Sequence, residues 1–156
     1  MSFEHKNNGS LIQINDTDTN VGVISYERTA NIRQQDYVFW SSPIKNFDVA
    51  DISPLTPSSK IFKWDPTFAN PNGAFGYWLN TPTEIMAAGV GYIVKGPTTF
   101  TATPQNYTAL FNNGAPNNGL IQVPISRGNN TGANFAGANS VIVTRFDDNW
   151  NLIGNP

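Results

Sequence analysis

The chain has 156 residues, a formal net charge of −2 and only 13% charged residues, which argues against electrostatic binding of nucleic acid or of an anionic membrane surface. It contains no cysteine and a single histidine, His5, which excludes disulfides, thiolate metal sites and multi-histidine sites. No apolar run approaches the ~20 residues that span a bilayer, so we expect no membrane insertion.

Turn-forming and strand-forming residues dominate the rest of the composition. The chain has 13 Gly, 11 Pro and 12% aromatic residues, a profile that favours short strands joined by many turns. We therefore predict one all-β domain over residues 1–156, either a β-sandwich or a jelly-roll-like fold, with long Asn/Gly/Pro-rich loops.

The first half of the chain alternates apolar and polar residues in several short runs, which is the pattern of half-buried strands. Residues 9–14 and 21–28 are two such runs, separated by a polar turn over 15–20 and spaced for a hairpin. Residues 36–41 form a dense aromatic strand that ends before Pro43, and residues 60–65 form another.

The second half contains one helix-like stretch, residues 83–88, in which Thr83 caps a single turn and Gly89 ends it. The other runs are predicted strands, and Pro124 directs one of them to a sheet edge. These predicted strands are 91–95, 98–103, 107–111, 119–126 and 140–146.

The turn at 15–20 is the one candidate metal site. Asp16, Asp18, Asn20 and Glu27 stand at offsets 1, 3, 5 and 12, which are ligand positions of an EF-hand loop. The required glycine is replaced by Val21, and no helices flank the turn, so a plain polar hairpin loop is favoured. A surface Ca²⁺ site formed by Asp16, Asp18 and Asn20 is the alternative, and no other cofactor is indicated.

Four tryptophans offer flat rings on which sugars stack, provided that polar side chains lie beside them. Trp40 lies in a dense apolar strand and is expected in the core, and Trp150 is expected to pack at a sheet end. Trp64 and Trp78 flank a Pro-rich excursion, and with Tyr77 they form the predicted carbohydrate-binding set.

Catalytic patterns are weak. Glycoside hydrolysis needs two carboxyl groups about 5–9.5 Å apart across a cleft, and nothing in the order of the 11 acidic residues marks a facing pair. The serines lack a nucleophile elbow and a nearby histidine. We therefore expect no enzyme activity.

Four phrases occur in order: GSLIQIND at 9–16, YVFWSSP at 37–43, GVGYIVKGP at 89–97 and WNLIGNP at 150–156. Together they resemble a β-rich module from the C-terminal part of large secreted or surface proteins of Flavobacteria and other Bacteroidetes. Those proteins are exported by the type IX secretion system, and many are adhesin-like. The resemblance runs from about residue 7 to the last residue.

The resemblance implies a place at the cell surface or outside the cell and a building-block role, with no catalytic residues. In that family the first phrase follows a longer β region and the last continues into further chain, so we expect this chain to be a piece of a longer protein, truncated at both ends. No signal peptide is visible in the chain itself.

Two functions follow as expectations. The first is a non-catalytic structural or adhesive module whose partners are other segments of the parent protein or cell-surface ligands. The alternative is a glycan-binding module that uses exposed aromatic residues, with a fragment of a carbohydrate-active enzyme as the least favoured choice.

Overall fold

A computed structural model describes residues 3–5, 13–15, 17–70, 75–128, 134–136, 140–144 and 150–155. Within them lie nine strands and two short 3₁₀ helices, Val49–Ile52 and Ser58–Lys60. The strands are β1 (Phe3–His5), β2 (Ile24–Ile32), β3 (Tyr37–Trp40), β4 (Ile61–Ala69), β5 (Phe75–Asn80), β6 (Tyr92–Lys95), β7 (Gln105–Gly114), β8 (Phe135–Ala136) and β9 (Ile142–Val143). The predicted all-β class is confirmed.

Two main sheets form the domain. The first has the order β1-β2-β7, in which β2 pairs antiparallel with β7 and parallel with β1. The second has the order β3-β6-β4-β5 and is antiparallel throughout. Strands β8 and β9 form a separate two-stranded sheet.

The core lies between the inner faces of the two main sheets, in a sandwich-like arrangement. Both sheets contribute buried side chains, and the loop around the first 3₁₀ helix fills one end. The buried cluster consists of Ile24, Tyr26, Ile44, Phe47, Val49, Ile52, Ile61, Met86, Tyr92, Val94, Ala109 and Phe111. Trp40 packs against it, 6.2 Å from Phe111 between ring centroids, as predicted.

The outer faces of the two sheets differ in chemistry. The first sheet presents polar pairs that bond across β2 and β7: the hydroxyls of Thr29 and Thr108 lie 2.8 Å apart, and Asn31 Nδ2 donates to Asn106 Oδ1 at 2.8 Å. The outer face of the second sheet presents mainly aromatic residues. Because of this contrast, that face is the candidate for a functional site.

The helix predicted over residues 83–88 is wrong. Ile85 forms an isolated bridge with Asp48 instead, and Met86 N donates to Phe47 O at 2.8 Å. The Asp48 carboxylate favours this extended path, because its Oδ1 accepts a bond from Ala50 N at 2.8 Å and a longer one from Glu84 N at 3.4 Å. Tertiary bonds therefore override the weak local helix signal.

Two predicted strands are also wrong. Residues 98–103 form turns and bends, and residues 119–126 form no strand. A hairpin between residues 9–14 and 21–28 was predicted, and residues 9–12 lie outside the described residues. In the structure β2 pairs with β1 and β7. Nothing helical in the described part of the chain is both long and apolar enough to cross a membrane.

Candidate functional site

The cross-strand register fixes which side chains share the outer face of the second sheet. Directly opposed residues on neighbouring strands, and every second residue along one strand, point to the same face. Phe39 is opposite Ile93, and Ile93 is opposite Phe62. Two positions further along β4, Trp64 is opposite Trp78. Three of the four strands therefore place aromatic side chains on one face.

Three tryptophans from distant parts of the chain meet at one end of this face. Trp150 stacks on Trp64 with ring centroids 3.7 Å apart and planes inclined by 14°. Trp78 meets Trp64 edge-on at 5.3 Å and lies 5.8 Å from Trp150. Trp64 Nε1 also donates to Trp150 O at 2.9 Å. We call these residues the tryptophan cluster.

Gly76 on β5 makes room for this cluster. Its φ is +100°, and a Cβ added there would lie 2.2 Å from Cζ2 of Trp64. The Trp64 ring thus contacts the β5 backbone as well as the Trp150 ring. Because both neighbours cover it, the aromatic surface of Trp64 is largely used within the protein.

Trp150 belongs to a segment that crosses the sheet, residues 150–155, which we call the strap. Leu152 sits over Gly91, where an added Cβ would come within 2.4 Å of Leu152 Cγ. Besides the bond from Trp64 Nε1 to Trp150 O, three hydrogen bonds join the strap to the chain beside β3 and β6: Gly91 N to Leu152 O at 3.2 Å, Gly154 N to Gly89 O at 2.8 Å, and Ser41 Oγ to Asn155 O at 2.5 Å. The strap therefore contacts β4 and the residues next to β3 and β6.

The structure brings together only two of the three predicted carbohydrate-binding residues. Trp64 and Trp78 form a cross-strand pair, whereas Tyr77 is opposite Asp65 on the other face of the sheet. There Tyr77 stacks on Phe68 at 4.9 Å. The three residues do not form one sugar-binding surface, although sugar binding by either group stays a prediction.

A cavity of about 210 Å³ lies beside the tryptophan cluster, between β4, the strap and residues 123–126. Its lining includes Lys63, Trp64, Asp65, Val90, Val123, Pro124, Ser126, Asn151 and Leu152. Asn151 and Ser126 bond to each other in both directions, at 2.8 and 3.1 Å. Asp65 Oδ1 accepts from the amide and the hydroxyl of Thr67. These polar groups therefore mainly stabilise the walls.

Glu84 is the centre of a charged network near this cavity. Lys63 Nζ lies 2.5 Å from Glu84 Oε2, and both side chains are about one-third exposed. Tyr92 OH donates to Glu84 Oε1 at 3.0 Å and accepts from Ala87 N at 3.3 Å. Burial, with a smaller contribution from Glu84, raises the pKa of Tyr92 to about 12. The Tyr92 hydroxyl is therefore protonated and uncharged over the physiological pH range.

The loop predicted to bind calcium is held by amide groups. Asn20 Nδ2 donates to Gln13 Oε1 at 2.7 Å and to Pro116 O at 3.1 Å, and Asn118 Nδ2 donates to Asp18 O at 2.9 Å. Asp16 lies outside the described residues. Among the residues that the structure does describe, no group of three or more His, Asp or Glu side chains is placed to hold a metal ion.

Calcium binding there stays a prediction. The test is the melting temperature of the protein in Ca²⁺ and in EDTA. A higher melting temperature in Ca²⁺ would support the site, and equal values would contradict it.

One family model matches residues 1–156, and its description is "Domain of unknown function (DUF8693)". The chain belongs to this family. No curated protein and no solved structure matches it. Because the family description names neither a ligand nor a reaction, functional inference depends on the geometry of the outer face.

Sequence reasoning missed the open part of that face. Tyr37 and Phe39 belong to a run in which every residue is apolar or aromatic, and this pattern predicts burial on both sides. The structure instead leaves Phe39 64% exposed and Tyr37 40% exposed. The position of β3 at the edge of its sheet, which the sequence does not show, leaves these rings open.

Proposed function

We propose that this chain is a non-catalytic structural and adhesive module of a secreted or cell-surface bacterial protein. The observation that carries the proposal is the strap. Tension applied through residue 155 reaches β4 at Trp64, the residue after β3 at Ser41 and the residue before β6 at Gly91, since the strap bonds or packs against each of them. A load shared among three strands is resisted by the whole sheet.

The described acidic residues support a non-catalytic role, because several of them hold the fold. Asp36 Oδ2 accepts from Arg33 N at 2.8 Å, and Asp48 caps the first 3₁₀ helix. Glu84 binds Lys63. Among the described residues that line the cavity, Asp65 is the single acidic one, whereas glycosidases use two carboxyl groups.

Single-molecule force spectroscopy tests the load-bearing role. The chain is attached at residues 1 and 155 and pulled. We expect one unfolding event with a resolved force peak, lower in Trp150→Ala than in the original chain. Tyr77→Ala is the matched control, because it removes an exposed ring from the other face. Extension without a force peak, or equal peaks for Trp150→Ala and the original chain, would contradict the proposal.

The location outside the cell and the attachment to other segments of a parent protein rest on the resemblance of four sequence phrases to surface proteins of Bacteroidetes, and we propose both. An antibody raised against this chain should label intact cells that express the parent protein. Labelling that appears only after lysis would contradict a surface location.

Glycan binding is the second candidate function. It is favoured by aromatic side chains that remain open on the outer face next to the strap, at Phe39 and Tyr37. The tryptophan cluster supports it less, since its rings are packed against one another.

A further inference from the structure

On the outer face of the second sheet, β6 next to the strap lies between the aromatic side chains of β3 and β4, and we call this surface the groove. Ile93 forms its floor and is only 9% exposed, because Phe39 flanks it on one side and Phe62 on the other. Leu152 covers Gly91 at one end. Lys95 lies on the same face two residues beyond Ile93, opposite Tyr37. The groove is therefore closed by the strap at one end and open at Lys95.

The groove combines aromatic rings with hydrogen-bond donors. The Tyr37 and Phe62 ring centroids are 6.1 Å apart, with planes inclined by 53°. Lys95 makes no ion pair within the described part of the chain. The ammonium of Lys95 and the hydroxyl of Tyr37 can therefore donate to a ligand that covers the rings.

The open aromatic surface is small. Taking about 200 Å² for a fully exposed aromatic side chain, exposures of 64% and 40% leave about 130 Å² on Phe39 and about 80 Å² on Tyr37. The two side chains together expose about 210 Å². This area matches a ligand of one or two rings.

We propose that this groove binds a glycan, with the C–H face of a pyranose ring on Phe39 and its hydroxyl groups hydrogen-bonded to Lys95 and Tyr37. A sugar ring matches this surface because it has an apolar face and a polar rim. The inference rests on the glycan candidate above and not on the load-bearing role, so either can fail while the other stands.

Affinity electrophoresis tests the proposal. The chain is run in native gels that contain cellulose-type glucan, soluble chitin, xylan, mannan, alginate or polygalacturonate. At least one polysaccharide should retard it. Phe39→Ala should weaken that binding about tenfold, as expected for the loss of one ring contact and its covered area. Leu110→Ala, which removes an exposed apolar side chain from β7 of the other main sheet, should bind like the original chain.

Leu110→Ala is the matched control because Leu110 is 43% exposed on the first sheet, and Tyr77→Ala tests the other predicted sugar-binding group. Circular dichroism checks that each variant is folded, and Lys95→Met provides a second groove variant should Phe39→Ala unfold. Retardation by no polysaccharide, equal retardation of the groove variants and the original chain, or loss of binding only in Tyr77→Ala would each overturn the proposal. Concentration-dependent dimerisation abolished by Phe39→Ala would overturn it in favour of a second copy.

Discussion

Replacing Trp150 by alanine removes the ring that joins the strap to the sheet. Trp150 is 40% exposed, so about 60% of a side chain of about 250 Å² is covered, or about 150 Å². At about 25 cal/mol per Å² this area contributes about 3.8 kcal/mol, of which alanine keeps a minor part. Stacking on Trp64 adds about 0.5–1.5 kcal/mol, while compactness of the unfolded chain reduces the area term. We expect Trp150→Ala to lower the free energy of unfolding by about 3 kcal/mol.

Equilibrium unfolding in urea measures this loss, with circular dichroism as the signal so that removal of a tryptophan does not bias it. The m-value should stay constant, since the surface exposed on unfolding hardly changes. The bond from Trp64 Nε1 goes to the backbone oxygen of residue 150 and is available in the variant, so the loss reports the ring itself. Leu120→Ala, which removes a side chain that is 83% exposed, should cost less than 1 kcal/mol. A loss below 1 kcal/mol in Trp150→Ala would refute the assignment of the strap as a stabilising element.

Three further variants test other parts of the structure. Gly76→Ala should destabilise the protein by about 2–5 kcal/mol, because the added Cβ collides with Trp64 and the φ at this position is unfavourable for alanine. Gly22→Ala is the control, since Gly22 has a similar φ of +101° and nothing lies within 4 Å of the new Cβ. Equal losses of stability in the two variants would contradict a clash with the ring. The pKa of Tyr92 is about 12 in the folded protein and about 10 in the unfolded chain. The contribution of Tyr92 to the free energy of unfolding is therefore complete below about pH 10, and it falls by up to about 2.7 kcal/mol towards pH 12. Tyr92→Phe should flatten that decline in urea unfolding at pH 9–12, and an unchanged slope would contradict the buried hydroxyl. Asn118→Ala removes two hydrogen bonds to loop carbonyls. It should lower the free energy of unfolding by about 1 kcal/mol and speed amide hydrogen exchange over residues 17–20. Unchanged exchange would contradict the role of the Asn118 amide in holding the loop.

The strands that could be predicted are those whose local pattern agrees with their tertiary setting. Residues 21–28, 60–65 and 91–95 alternate or are densely apolar, and β2, β4 and β6 lie there. The run 98–103 also alternates, yet it forms turns, because alternation alone cannot supply a neighbouring strand for its backbone. The helix prediction for residues 83–88 failed for a related reason, because contacts with residues distant in sequence determine the conformation of this segment.

The candidate site was predicted only in part. Trp64 and Trp78 were grouped because they flank the Pro-rich excursion, and their direct pairing across β4 and β5 was seen only in the structure. The stack with Trp150 was not predictable, because 86 residues separate it from Trp64 and no local pattern encodes that contact. Tyr77 was grouped with Trp78 because they are neighbours in sequence, but neighbours on a strand point to opposite faces.

The sequence by itself determined the class of the fold and the chemistry available to it. The chain has few charged residues, no cysteine and many turn-forming and β-forming residues. These features limit each segment independently of its tertiary contacts, so their consequences can be predicted without a structure. The tertiary structure alone decided which rings are covered and which are open. Exposure depends on strand order and on where the strap crosses the sheet. These are long-range properties: the edge position of β3 leaves Phe39 open, and the strap covers Trp64.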